Sequence, residues 1–142
     1  MAHNFETWSP ERTVEIITAL ADLEGPLLPI LHEIQETFGC VPPAAVPIIA
    51  GALNLSRAEV HGVVSFYHDF RETPAEGRSI KLCRAEACQA RGVETLVKAV
   101  DGKVAFEPVY CLGLCASGPS ALIDGRPVAR LTAERLIALA GA

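Results

Sequence analysis

Apolar residues in the first half of the chain recur at the spacing of α-helices. A helix is predicted from Pro10 to about Leu23, because serine precedes Pro10 and proline is favoured at the first helical position. In the next predicted helix, Ile30, Ile34 and Phe38 recur every four residues and share one face. Each of these two helices therefore has one apolar face to bury.

Two more predicted helices complete the first half of the chain. One ends near Leu53 and tolerates Pro47 only in its first turn, since proline has no N–H to donate. The other starts after Ser56, which forms the pattern of a capping box with Glu59, and runs to about Ser65. The pattern predicts a small bundle of four amphipathic helices.

Hydrophobic periodicity changes after the segment from Glu72 to Arg78, which contains proline, glycine and several charges and is predicted to be a linker. Beyond the linker we expect a β-α-β-β-α unit on one small sheet. The predicted segments are strands at 79–82 and 103–110, a helix at 89–100, a hairpin of 120–123 and 127–130, and a terminal helix capped by Thr132.

The expected fold class is therefore α+β, with a helical bundle domain at 1–74 followed by an α/β domain at 75–142. Charge changes at the same place. Residues 1–74 contain three Lys/Arg and ten Asp/Glu, whereas residues 75–142 contain nine and seven. An acidic half argues against a nucleic-acid partner, because nucleic acids bind to basic surfaces.

The composition is that of a folded globular protein, with half of the 142 residues hydrophobic and a fifth charged. The N-terminus has no basic start followed by an apolar stretch, so it does not resemble a secretory signal. The most apolar segment, Val41 to Leu55, is interrupted by prolines and is too short to span a bilayer. We expect a cytoplasmic protein without direct membrane insertion.

Five cysteines in a reducing compartment indicate metal or redox chemistry rather than disulfides. Cys83 and Cys88 form a C-x4-C pair after the first predicted strand, and Cys111 and Cys115 form a C-x3-C pair after the second. Adjacent strands lie about 5 Å apart, so two loops at one sheet edge can bring four sulfurs around one small inorganic core. Four thiolates are the usual ligand set of a [2Fe-2S] cluster. Cys40 stands apart and is expected to be an ordinary thiol.

Other interpretations of the four cysteines stay open at this point. Structural zinc sites usually present C-x2-C knuckles, which this chain lacks, but a zinc-stabilised interaction module remains an alternative. A dithiol oxidoreductase would also need C-x-x-C. His32, His61 and His68 have no ligand spacing to the cysteines and are expected not to bind metal. Gly113 is expected to let its loop direct amide N–H groups at the sulfurs.

The sequence CRAEAC, followed by VYCLGLCASGP and preceded by a helical region ending in GVVSFYHDF, resembles the thioredoxin-like [2Fe-2S] subunits of NADH-linked complexes. This family includes the small [2Fe-2S] subunit of respiratory NADH dehydrogenase, the diaphorase subunits of NAD-linked hydrogenases and the gamma subunit of NAD-dependent formate dehydrogenase. The resemblance covers nearly the whole chain. It implies a thioredoxin-like [2Fe-2S] ferredoxin fold for the second domain, with Cys83, Cys88, Cys111 and Cys115 as the ligands.

Only 22 residues separate Cys88 from Cys111, and this compact form looks most like the gamma subunit of a soluble formate dehydrogenase. The resemblance implies single-electron exchange with a flavin-bearing, NAD-binding iron-sulfur subunit, which would hold FMN and NAD, and a larger substrate-oxidising subunit. The chain contains neither the G-x-G-x-x-G fingerprint nor a P-loop. Hydride chemistry is therefore expected on the partner, and no catalytic residue is predicted on this chain.

Overall fold

The computed structural model describes residues 4–141, which divide into two compact units, 4–76 and 77–141. The first unit is helical and the second combines a sheet with helices, which confirms the predicted α+β class. The predicted division of the chain into independently folding domains at 1–74 and 75–142 stays a prediction.

The helical unit contains four helices, and the first and the fourth start at side-chain caps that the sequence predicts. The Oγ atom of Ser9 accepts the N–H of Arg12 at 3.2 Å. The capping box is formed in both directions, since Ser56 Oγ accepts from the N–H of Glu59 at 3.1 Å and the Glu59 carboxylate accepts from the N–H of Ser56 at 2.7 Å. The helices are α1 (Pro10–Leu20), α2 (Leu27–Phe38), α3 (Ala45–Leu53) and α4 (Arg57–Phe66).

The first helix ends earlier than predicted. The expected end at Leu23 is wrong, because the N–H of Leu23 bonds the carbonyl of Leu20 at 3.1 Å in a tighter turn and α1 stops at Leu20. Gly25 then takes a positive φ of 67°, a left-handed backbone conformation that glycine adopts without strain.

The core of the helical unit is built on the predicted apolar face of α2. Ile30 and Ile34 are fully buried and Phe38 is nearly so, and burying each such side chain stabilises the fold by about 1.5–3 kcal/mol. Cys40 is also buried, and its burial raises the pKa of its thiol while Arg71 partly opposes that effect. Cys40 is therefore an interior residue of the helical unit.

The second unit contains a four-stranded sheet in the order β2-β1-β3-β4. β1 pairs in parallel with β2 and antiparallel with β3, and β3 pairs antiparallel with β4. The elements are β1 (Ile80–Cys83), α5 (Glu86–Ala90), α6 (Val93–Val100), β2 (Glu107–Val109), β3 (Ala121–Ile123), β4 (Arg126–Val128) and α7 (Ala133–Gly141). The four strands correspond to the four predicted strand segments, so the predicted order β-α-β-β-α counted one strand too few, and the structure also has one helix more than predicted.

Two predicted segments differ from the structure for local reasons. The single helix at 89–100 is wrong, because Gly92 takes a φ of 91° and separates α5 from α6. The strand at 103–110 is too long, because the N–H groups of Lys103 and Val104 bond the carbonyl of Val100 at 2.9 and 3.1 Å. These bonds hold the start of the predicted strand against the end of α6.

The C-terminal hairpin and helix cap are confirmed. Asp124 and Gly125, with φ values of 50° and 76°, join β3 to β4 as a two-residue turn. Thr132 Oγ1 accepts the N–H of Arg135 at 3.2 Å at the start of α7. Among residues 4–141, no helix is both long enough and apolar enough to cross a bilayer.

Candidate metal centre

The four clustered cysteines meet at one edge of the sheet. Cys83 is the last residue of β1 and is paired with Val109, the last residue of β2, so Cys111 follows β2 at the same edge. This convergence arises because the carboxyl ends of parallel strands share an edge, and it confirms the expected placement. Cys88 differs from the expectation of a loop residue, since it lies on α5, and Cys115 opens a 3-10 turn.

Burial separates the four cysteines into two pairs. Cys83 and Cys88 are 2% and 1% exposed and belong to the apolar core of this unit. Cys111 and Cys115 are exposed, and the neighbouring Tyr110 is 71% exposed. One side of the site is thus fixed in the core, and the other faces the surface.

The exposed sulfurs are as close as two ligands of one metal. Cys111 Sγ lies 3.7 Å from Cys115 Sγ, the edge length of a tetrahedral site with metal–sulfur bonds of about 2.3 Å. Cys111 raises the pKa of the Cys115 thiol, first through the hydrogen bond between the sulfurs and also through charge repulsion. Two thiolates at this distance repel each other, and a bound cation would remove that penalty.

Backbone amides point at the buried side of the site. The N–H of Cys111 donates to Cys83 Sγ at 3.3 Å, which links the two pairs. Burial raises the pKa of Cys83, but backbone donors at Ala85, Cys111 and Leu112, together with the Cys88 side chain, outweigh it and leave the pKa below its ordinary value. These donors therefore favour the thiolate form of Cys83, which is the form of cysteine that binds metal.

The loop between the exposed cysteines has the backbone that the sequence predicted. Gly113 takes a φ of 75° and its N–H donates to Cys111 Sγ at 3.4 Å. Cys111 itself has a φ of 88°, a left-handed conformation that costs a non-glycine residue about 1–3 kcal/mol. This strained backbone directs the Cys111 N–H at Cys83 while its side chain meets Cys115.

Two residues beside Cys88 were not identified from sequence as site residues. A Cβ atom at Gly118 would lie 3.1 Å from Cys88 Sγ, a tight contact that a larger residue could make only if one of the two groups shifted slightly. Ser120 is 1% exposed, and its Oγ lies 3.8 Å from Cys88 Sγ. Gly118 could have been identified because it belongs to the motif CASGP, whereas nothing in the sequence distinguished Ser120 from a surface serine.

The positive charge next to Cys83 is already paired. Arg84 Nε and Nη2 donate to the two carboxylate oxygens of Glu94 at 3.0 and 2.7 Å, a bidentate ion pair. The carboxylate lowers the net charge that Arg84 can present to the sulfurs. The N–H donors of Cys111 and Gly113 are therefore local groups that can stabilise negative charge on the sulfurs.

The donor set fits an iron-sulfur group. The cysteines supply four sulfur donors, with N–H groups directed at two of the sulfurs and a glycine gap beside a third. Within residues 4–141, no three or more His, Cys, Asp or Glu side chains surround one metal-ion position. A bound [2Fe-2S] group supplies one-electron transfer.

Several known proteins are similar to this chain over most of its length. The chain is 29% identical over 132 residues to NADP-reducing hydrogenase subunit HndA of Solidesulfovibrio fructosivorans, covering 84% of this chain and 77% of the relative. It is 36% identical over 112 residues to a subunit of the NADH-quinone oxidoreductase of Aquifex aeolicus (strain VF5), covering 69% of each. The corresponding subunit from Escherichia coli (strain K12) is 29% identical over 119 residues, covering 75% of this chain and 72% of that relative.

The chain is also similar in fold to a solved structure and matches the model of a known protein family. The fold matches the NAD+-reducing [NiFe]-hydrogenase in the air-oxidized state with a TM-score of 0.66 and 29% identity, over 81% of this chain but 22% of that one. Residues 13–141 match the family described as thioredoxin-like [2Fe-2S] ferredoxin. The match favours a [2Fe-2S] cluster over zinc. The chain therefore belongs to the thioredoxin-like [2Fe-2S] ferredoxin family, and its cofactor is one [2Fe-2S] cluster.

Proposed function

We propose that this chain is the electron-transfer subunit of an NAD-linked oxidoreductase complex and that Cys83, Cys88, Cys111 and Cys115 are the cluster ligands. The observation that carries the proposal is the convergence of the four cysteines at the shared end of β1 and β2. The directed N–H groups at Cys83 and Cys111 support it, because such donors stabilise thiolate ligands.

The exposed half of the site is the proposed route for electrons. Cys111 and Cys115 reach the surface next to Tyr110, which presents a large aromatic ring to a partner. Electron transfer requires a short distance between donor and acceptor, so a partner would dock on this side. Cys83 and Cys88, which are buried in the core, would hold the cluster in a fixed position.

The proposed partner is a flavin-bearing, NAD-binding iron-sulfur subunit that holds FMN and NAD. Conversion of a hydride pair into single electrons is flavin chemistry, and the sequence of this chain contains no dinucleotide fingerprint. The relatives named above are subunits of enzymes that use NADH or NADP, which supports such an assembly. A cytoplasmic location is part of the proposal, since a reducing compartment keeps the ligand thiols available.

We propose a soluble formate dehydrogenase as the parent complex, in which a larger subunit oxidises the substrate. The support is the spacing of 22 residues between Cys88 and Cys111. An NAD-linked hydrogenase is the second candidate, favoured by the similarity to HndA and to the NAD+-reducing hydrogenase structure. Respiratory NADH dehydrogenase is the third, favoured by the relatives from NADH-quinone oxidoreductases.

The role as an electron carrier is tested with the isolated chain under anaerobic conditions. Iron and sulfide analysis should give the content of one [2Fe-2S] cluster per chain. Dithionite should produce the EPR signal of a reduced cluster, whereas an excess of NADH should leave the cluster oxidised, because this chain has no site for a two-electron hydride donor. Adding the flavoprotein partner should allow NADH to produce the signal.

A strong reduced signal with NADH alone would contradict the proposal, because the chain would then oxidise NADH itself. The parent complex is tested separately by purifying the native assembly and identifying its other subunits. A formate-oxidising subunit in that assembly would support the first candidate, and a [NiFe] subunit would replace it with the second.

A further inference from the structure

A buried hydroxyl lies against one of the proposed ligand sulfurs. Ser120 and Thr13 are buried polar residues, and their hydroxyl groups have different kinds of partner. Thr13 Oγ1 donates to the carbonyl of Ser9 at 2.9 Å within its own helix. The Ser120 Oγ atom lies 3.8 Å from Cys88 Sγ, although the two residues are 32 positions apart in the sequence. Its contact therefore depends on the fold of the site.

The direction of the Ser120 contact follows from the chemistry of a ligand cysteine. In a free thiol either atom could donate, but a cysteine that binds metal is a thiolate without a proton. Ser120 must then donate its O–H to Cys88 Sγ. The alternative is a buried hydroxyl without a partner, which costs about 1–3 kcal/mol.

The backbone fixes Ser120 in this position independently of its side chain. Its carbonyl accepts the N–H of Cys83 at 2.9 Å, and β3 begins at the next residue, where Ala121 pairs with Leu82. Ser120 thus bonds to one proposed ligand through its backbone and lies against the other through its hydroxyl. Replacing the hydroxyl leaves the backbone link intact.

We propose that the Ser120 hydroxyl tunes the cluster by donating a hydrogen bond to the Cys88 thiolate. Reduction by one electron from an external donor makes the thiolate-bound unit one charge more negative and moves no proton from Ser120. A fixed donor stabilises the more negative state more strongly, so Ser120 raises the reduction potential. Ser120 is a positioning residue of the site, and this inference rests on the proposed role of Cys88 as a ligand.

The test compares Ser120→Ala with Ser120→Thr in the full-length protein loaded with its cluster. The variants are read by iron and sulfide content and by potentiometric titration followed by EPR. Ser120→Ala should keep the cluster but lower the ratio of reduced to oxidised protein about tenfold at a fixed potential, which is about 59 mV for one electron. Ser120→Thr keeps the hydroxyl and should stay closer to the wild type. Ser117→Ala, a half-buried serine of the same loop, is the matched control and should not shift the potential.

Resonance Raman spectra in H2O and D2O give a second readout that does not depend on the potential. Deuteration of the Ser120 hydroxyl should shift iron–sulfur stretching bands in the wild type, and this part of the shift should disappear in Ser120→Ala. Equal potentials and equal isotope shifts in Ser120→Ala and Ser117→Ala would overturn the inference while leaving the electron-carrier function intact. Full cluster content in Cys88→Ser would instead remove the ligand assignment on which it rests.

Discussion

The two cysteine pairs are equivalent in chemistry but differ in how the protein holds them. Cys83 and Cys88 lie on regular elements, are almost fully buried and belong to the core of the sheet unit. Cys111 and Cys115 lie in an exposed segment whose shape depends on positive φ values at Cys111 and Gly113. A site that binds a cluster and also exchanges electrons needs both arrangements, one to hold the cofactor and one to bring it near the surface.

The first prediction is that replacing cysteine by serine affects protein stability differently in the buried and the exposed pair. Serine at Cys83, Cys88, Cys111 or Cys115 should sharply reduce iron and sulfide content, because each variant loses one of the four proposed thiolate ligands. At the two buried positions the change also places a more polar hydroxyl in the apolar core, and the apo-protein should lose about 1–3 kcal/mol of unfolding free energy. At the two exposed positions this change should stay within about 0.5 kcal/mol. Metal analysis and denaturant unfolding of each apo-protein measure the two effects.

Cys40→Ser is the control for these variants. Cys40 is buried like Cys83 but belongs to the helical unit. Its variant should therefore lose stability while retaining full iron content. If Cys40→Ser alone abolished iron binding, the proposed ligand set would be wrong.

The second prediction concerns the close approach of the chain to the buried pair. In Gly118→Ala the new methyl group would lie 3.1 Å from Cys88 Sγ, and overpacking of this kind costs about 1–3 kcal/mol. The cluster should still form but should lose iron to a chelator about tenfold faster than in the wild type. Bleaching of the visible absorption measures this rate.

Gly62→Ala is the matched control for the glycine variant. Gly62 lies within α4, and a Cβ atom there would have nothing within 4 Å. Alanine also favours a helix by about 0.5–1 kcal/mol over glycine. The Gly62 variant should therefore release iron at the wild-type rate, and equal rates in the two variants would show that the approach at Gly118 does not constrain the site.

The sequence revealed the parts of the site that depend on local pattern. The caps at Ser9, Ser56 and Thr132 could be predicted because each involves residues three positions apart. The position of the cysteines at one sheet edge could be predicted because strand ends are visible in the hydrophobic pattern. The resemblance supplied the fold family and the cofactor, and the family match bears both out.

Long-range contacts account for what the sequence did not reveal. Ser120 meets Cys88 across 32 residues, and a single serine before a short strand carries no signal of that contact. The division between α5 and α6 depends on Gly92, whose positive φ ends a helix that the apolar pattern alone would continue. The contrast between a buried and an exposed cysteine pair also depends on the packing of Cys88 into the apolar core of the sheet unit, which sequence spacing does not reveal because it is similar in the two pairs.

The third prediction has the smallest expected effect. We expect the difference in burial between the two cysteine pairs to persist when the helical unit is removed. The fragment 75–142 contains all four proposed ligands, every strand of the described sheet and the apolar core in which Cys83 and Cys88 are buried. A unit of this size is marginal by core packing alone, but metal binding adds to its folding free energy. The fragment should therefore be brown and should give the same EPR signal on reduction with dithionite as the full chain. In the metal-free fragment, an alkylating reagent should modify Cys111 and Cys115 faster than Cys83 and Cys88, as burial requires. A colourless, unfolded fragment beside a brown full-length protein would show that the two units depend on each other for folding, and equal alkylation rates in a folded fragment would show that the helical unit creates the contrast.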